Sequence, residues 1–109
     1  MNLRDLTYLA AVAEHRHFGR AAEAVHVSQP TLSGQIRKLE EQLGVPLFER
    51  DSRNVALTAA GEAIVAEARE ALAHAEAMRE IARAHRDPLA GAFRLGVIAT
   101  LGPFLVPAL

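Results

Sequence analysis

The sequence contains no cysteine, which excludes disulfides, thiolate metal sites and a thiol redox switch within it. Aromatic side chains are scarce, with no tryptophan, while alanine is abundant, a balance that favours a helical protein. No apolar run approaches the roughly 20 residues that a membrane-spanning helix needs. Charged Arg4 and Asp5 follow Met1 too closely for a secretory leader, so the expected location is the cytoplasm. There is no Gly-rich phosphate loop ahead of a helix and no arguable Ser/His/Asp arrangement, which leaves no basis for an enzyme. No cofactor is implied. Glu14, His15 and His17 are metal-binding residue types close in sequence. Neighbours on a helix do not share a face, however, and the trio lacks a fourth ligand, so no metal site is expected.

Nor is there an excess of either charge. The formal net charge is −1, where nucleic-acid binding usually selects a basic surface. The distribution softens that objection. Residues 1–58 carry basic and acidic side chains in equal number, and Arg37, Lys38, Arg50 and Arg53 fall close together among them. A local basic face does not require a basic protein.

The 109 residues suffice for one small domain plus an appendage. Asn2 is placed to cap a first helix, with Asp5 in its first turn near the positive end of the helix dipole. Leu3, Leu6, Leu9, Ala10, Ala13 and then Phe18 supply the expected buried side. Gly19 interrupts the pattern, and a short second helix is expected over about residues 18–25, with Ala21, Ala22 and Val25 as a small-residue face. His26 and Val27 form a turn, Ser28 caps a third helix, Pro30 falls in its first turn where a missing N–H removes no bond, and Gly44 ends it. Residues 47–57, "LFERDSRNVAL", pattern as a short β-hairpin around the turn "DSRN". Thr58 then caps an alanine-rich helix of about residues 59–86, which Pro88 and Gly91 end. The tail "FRLGVIATLGPFLVPAL" begins like a β-strand with nothing to pair against, so a further domain is expected to start there.

The third helix carries an unusual outer face. Leu32, Ile36, Leu39 and Leu43 form its buried stripe, and Gln29, Pro30, Thr31, Ser33, Gly34, Gln35 and Arg37 are left around its outer N-terminal half. Taken one at a time, Ser28 or Thr31 would be an ordinary cap or surface residue. Together they describe a helix, a tight turn and a second helix, an arrangement in which the second helix lies in the DNA major groove. Short side chains there allow close approach. Gln presents a bidentate amide to adenine, and a Pro ring or Thr methyl meets a thymine methyl. Backbone N–H groups at the helix start hold phosphate, and a hairpin with Arg50 and Arg53 makes a wing that reaches the backbone or a narrow minor groove.

The segment "FGRAAEAVHVSQPTLSGQIRKLEEQLGVPLFER", followed by "LTAAGE", resembles the N-terminal domain of LysR-type transcriptional regulators, and the resemblance covers residues 1–87. "EHRHFGRAA", "HVSQPTLSGQIRKLEE" and the tail are similar, in order, to peroxide-responsive members of that family. The resemblance implies a mainly α fold: a winged helix-turn-helix domain over residues 1–58, a dimerising linker helix over 59–87, and over 88–109 a hinge and the first strand of an α/β regulatory domain that the chain lacks. It implies sequence-specific binding of double-stranded operator DNA in transcription regulation, with peroxide sensing in that regulatory domain. Groove contacts would come from Gln29, Pro30, Thr31, Ser33 and Gln35, phosphate contacts from Ser28, Arg37, Lys38 and Arg50, and a minor-groove contact from Arg53. It also implies a homodimer through the linker helix, a tetramer for a full-length protein, association with the nucleoid when bound, and RNA polymerase as a candidate further partner.

The periodicity agrees on pairing. Ile64, Ala68, Ala71, Ala75, Met78, Ala82 and His85 recur at alternating steps of four and three, which is a coiled-coil seam rich in small residues. Two alternatives stand beside this reading: a LysR-type regulator that answers to a small-molecule inducer, and a helical module that uses the same seam to bind another protein.

Overall fold

The computed structural model describes residues 1–49 and 55–87, and four helices account for most of them. They are α1 (Leu3–His15), α2 (Phe18–Ala24), α3 (Gln29–Leu43) and α4 (Ala59–Arg86). The chain divides into two units, one spanning Met1–Ala73 and the other beginning at His74. Among the described residues, no helix is long and apolar enough to cross a membrane.

Each helix of the first unit starts where local chemistry satisfies its free N–H groups. Asn2 accepts from the Asp5 N–H at 2.9 Å, and the Asp5 carboxylate accepts from the Asn2 N–H at 3.1 Å, a reciprocal capping box. Ser28 caps α3, with Pro30 in the first turn. Thr58 Oγ1 accepts from the Gly61 N–H at 2.9 Å at the start of α4. The cap of α2 was not foreseen: His17 Nδ1 accepts from the Arg20 N–H at 3.0 Å. Helix α1 ends at Arg16, which takes the left-handed conformation (φ 51°), and α3 ends at Gly44 (φ 76°).

The core is aliphatic. Leu9, Val12, Leu32, Ile36, Leu39 and Leu47 are its largest fully enclosed side chains. Ala21 and Ala22 are buried, so the small-residue face of α2 packs as its composition predicts. Phe18 meets Phe48 edge-to-face with ring centroids 5.9 Å apart, which ties α2 to the segment after α3. Two expectations for the buried stripes need correction. Leu3 is 42 % and Leu43 36 % exposed, because each stands at a helix end that the described elements leave uncovered, whereas Tyr8, Ala11 and Val12 complete the buried face of α1.

Among the described residues, the expected hairpin is represented by a single antiparallel bridge at its root, between Phe48 and Leu57. Glu49 N–H donates to the Ala56 carbonyl at 2.8 Å, and Thr58 N–H to the Leu47 carbonyl at 3.0 Å. Residues 50–54, which include Arg50 and Arg53, lie outside the described residues, as does the expected strand beyond residue 87.

In the second unit, the last turns of α4 carry an exposed ion-pair cluster: Arg79 and Arg83 each reach Glu76 at 3.1 Å, and Arg83 also bonds Glu80. Hydrogen bonds from Arg83 and then Arg79 hold the Glu76 carboxyl below its ordinary value.

Candidate nucleic-acid interface

The turn that launches α3 is built from backbone bonds. Val25 N–H donates to the Ala21 carbonyl, His26 N–H to Glu23, and Val27 N–H to Ala22 at 3.0 Å. His26 adopts a left-handed conformation (φ 60°), which reverses the chain within three residues. Ser28 then sits in extended backbone, and its Oγ accepts from the Thr31 N–H at 3.2 Å while donating to Thr31 Oγ1 at 2.8 Å. Two hydroxyls that share one hydrogen bond use only one of their two protons, so the Ser28–Thr31 pair keeps a proton for an outside acceptor.

Leu32, Ile36 and Leu39 anchor α3 to the core, each at 2 % exposure or less. At about 100° of rotation per residue, that stripe turns the opposite side outward. Pro30, Thr31, Gly34, Arg37 and Lys38 are exposed there, while Ser33 and Gln35 are half-buried on the two flanks of that face. Gln29 is exposed at the start of the helix but in line with the stripe and not on the outward face. The sequence-predicted groove residues thus share one end of one helix, but not equally: Pro30 and Thr31 stand forward. The Gln29 side chain lies beside α2, where a Cβ built on Gly19 would be 3.6 Å from Gln29 Oε1. The backbone at the N-terminus of α3 supplies partial positive charge, and Arg37 and Lys38 add full charges a little over two turns on. An anionic, grooved partner fits this face.

Behind it is a residue that sequence reasoning passed over. Glu40, only 8 % exposed, turns back from α3 and its Oε2 accepts from the Leu47 N–H at 2.7 Å and the Phe48 N–H at 3.4 Å. On the other side, Thr58 Oγ1 donates to the Pro46 carbonyl at 2.7 Å. Gly61 packs so closely that a Cβ there would fall 2.1 Å from the Leu47 carbonyl oxygen. Residues 46–48, from which the wing departs, are therefore fixed against both α3 and α4. The clue available in sequence was a spacing: Glu40 follows Ile36 by four residues, on the edge of the apolar stripe.

The predicted seam on α4 divides. Ala68 is 4 % exposed and packs in the chain's own core beside Val65, with Ile64, Ala71 and Leu72 partly buried against the same cluster. Ala75 is half-buried, and Ala82 is exposed. Met78 is 70 % exposed, and Ile81 beside it 58 %. Among the described residues, no group of three or more His, Cys, Asp or Glu side chains is arranged to hold a metal ion.

Comparison with known proteins places this arrangement. Residues 3–62 match the family described as "Bacterial regulatory helix-turn-helix protein, lysR family". The chain is 54 % identical over 107 residues to the "DNA-binding transcriptional dual regulator OxyR" of Escherichia coli K12, covering 98 % of this chain and 35 % of that protein. It thus spans about a third of the length of the curated relatives it matches. Among solved structures, a full-length OxyR variant from Pseudomonas aeruginosa is similar with a TM-score of 0.75 and 52 % identity, over 77 % of this chain and 28 % of that one. A crystal structure of the BenM DBD in complex with benA site 1 DNA gives a TM-score of 0.77 at 38 % identity, over 80 % of this chain and 98 % of that one. The turn, the capped α3 and the wing root all lie inside the matched residues, and the chain belongs to the lysR family of bacterial regulatory helix-turn-helix proteins.

Proposed function

We propose that this chain is the operator-binding part of a LysR-type transcription regulator that controls peroxide-inducible genes. The observation that carries the reading is the outer face of α3: short polar side chains at its N-terminal half, mounted rigidly on Leu32, Ile36 and Leu39, and followed by Arg37 and Lys38. In the major groove, Pro30 and Thr31 meet base edges or thymine methyls, and Gln29, Ser33 and Gln35 supply amide and hydroxyl contacts. Ser28, Arg37, Lys38 and Arg50 hold phosphates, and Arg53 reaches the minor groove from the wing. Phosphate contacts set register and orientation, whereas base contacts carry the sequence preference.

The chain works as a homodimer. Met78 and Ile81 are large apolar side chains left in water on the last turns of α4, and a second α4 covers them. A paired reader recognises two half-sites about one helical turn apart or a multiple of it, so the operator is a pseudo-palindrome. The protein catalyses no reaction and acts in the cytoplasm on the nucleoid. Peroxide sensing belongs to a regulatory domain outside these residues, consistent with a chain that has no cysteine. That assignment follows the relatives, whose names describe hydrogen peroxide-inducible genes activators.

Selection from a random duplex pool tests the reading. The expected result is a pseudo-palindromic site bound saturably, competed poorly by random duplex and released at high salt. Equal binding to selected and random duplex would overturn it.

A further inference from the structure

Four glycines lie in described parts of the chain, and three have an internal reason to be glycine. Gly44 has a left-handed φ of 76°, Gly61 is walled in by the Leu47 carbonyl, and a Cβ on Gly19 would lie 2.9 Å from the His17 ring. Gly34 has none. Its φ is not in the left-handed region, and a Cβ built on it meets nothing within 4 Å. Glycine inside a helix is nonetheless the least favourable residue after proline, because the backbone loses most freedom there and gains no side-chain packing. Helix α3 carries this penalty with no compensation from within the chain.

The position of Gly34 supplies an external one. It stands roughly 160° around the helix from both Leu32 and Ile36, so it lies at the centre of the outward face. It shares a row with Pro30 and Lys38, at steps of four residues, and Thr31 and Arg37 border it. On the face that a grooved polyanion fits, the most forward point is bare backbone. A helix with its side chains is about 10–12 Å across and the major groove about 12 Å wide, so the outermost row of side chains decides how deep the helix seats.

We infer that Gly34 is the point of closest approach between α3 and the floor of the major groove, a specificity determinant that works by setting insertion depth. This rests on the DNA-binding reading above. A methyl group at residue 34 holds the helix off the base edges, lengthening the contacts of Thr31 and Gln35 together. Phosphate contacts from Arg37 and Lys38, made by long flexible side chains, adjust to the shift. Specific binding therefore weakens while non-specific binding does not, and the isolated fold becomes more stable.

The test compares the full chain with Gly34→Ala on a duplex selected by the wild type and on random duplex, beside thermal unfolding without DNA. The expected result is a Tm raised by about 4 °C or more, at least a tenfold loss on the selected duplex, and random-duplex affinity within twofold of wild type. Gly34→Ser should behave alike on the selected duplex. Undiminished binding of both variants to the selected duplex would overturn the inference and leave the DNA-binding reading intact. A lowered Tm would also overturn it, since the glycine would then have an internal role. A wild type that shows no preference between the two duplexes would remove the reading on which the inference rests.

Discussion

Glu40 Oε2 accepts the Leu47 backbone N–H at 2.7 Å, joining the last turn of α3 to the root of the wing across seven residues of chain. The carboxylate is nearly enclosed, and the neighbouring Phe48 N–H shares it. Bonds to a charged acceptor contribute more than neutral ones, and removing the acceptor leaves buried donors unpaired. Glu40→Ala should therefore cost about 2–3 kcal/mol of stability, and Glu40→Gln, which keeps a carbonyl acceptor, about 1 kcal/mol. Chemical denaturation measures both. Faster hydrogen exchange at Leu47 and Phe48 in the Ala variant should accompany the loss. Equal costs for the two variants would show that the side chain acts through packing and not through these bonds.

The imidazole cap of α2 makes a second prediction. His17 Nδ1 accepts from Arg20 N–H, so loss of the ring should cost about 0.5–2 kcal/mol, the range for removing an N-cap acceptor. Asn at residue 17 offers an oxygen at the same end of the helix and should recover most of that. Thermal unfolding of His17→Ala and His17→Asn distinguishes a cap from ring packing, which neither variant would restore.

Salt dependence separates the cations from the polar groove residues. Each phosphate neutralised on duplex DNA contributes a slope of about 0.9 in log K against log salt. Arg37→Ala and Lys38→Ala should each flatten the plot by about that amount per subunit bound, about 1.8 for a dimer on a whole operator, and leave base preference unchanged. Gln35→Ala should keep the slope and relax one position per half-site, at about 1–3 kcal/mol if its amide is bidentate. A changed base preference in the Lys38 variant would move that residue from the phosphates to the bases.

Self-association is best probed at the exposed end of α4. Glu at Ala71 would disturb the chain's own core, against which that residue packs. Met78 is free of this difficulty at 70 % exposure. Met78→Glu should leave the unfolding of the Met1–Ala73 unit unchanged while placing like charges near the dyad of a pair. Sedimentation should show the wild type as a dimer and the variant shifted toward monomer. A monomeric wild type that binds a half-site as tightly as the whole site would defeat the paired reading.

Much of this was legible in the residues because helix boundaries are set by near neighbours. Asn2, Ser28, Gly44 and Thr58 act on groups within a turn of themselves, and each ends or begins a helix where its chemistry predicts. The tertiary contacts were less legible. Glu40 reads as one more charge in "KLEEQLG", since its partners lie seven and eight residues away and are backbone groups. Histidine is not among the usual capping residues, so His17 went unrecognised. Periodicity identified the apolar line on α4 but could not divide it: Ala68 packs on its own core, while Met78 faces water.

The hydroxyl of Thr58 serves two elements at once, giving its proton to the Pro46 carbonyl and its lone pair to the Gly61 N–H. With Glu40 holding the next two residues from the opposite side, there is no slack hinge between α3, the wing root and the first turn of α4. A tilt imposed on that turn pulls on residues 46–48 and, through Glu40, on the last turn of α3. The root of the wing is thus tied to the ends of two helices at once, and a displacement of either end is passed directly to it.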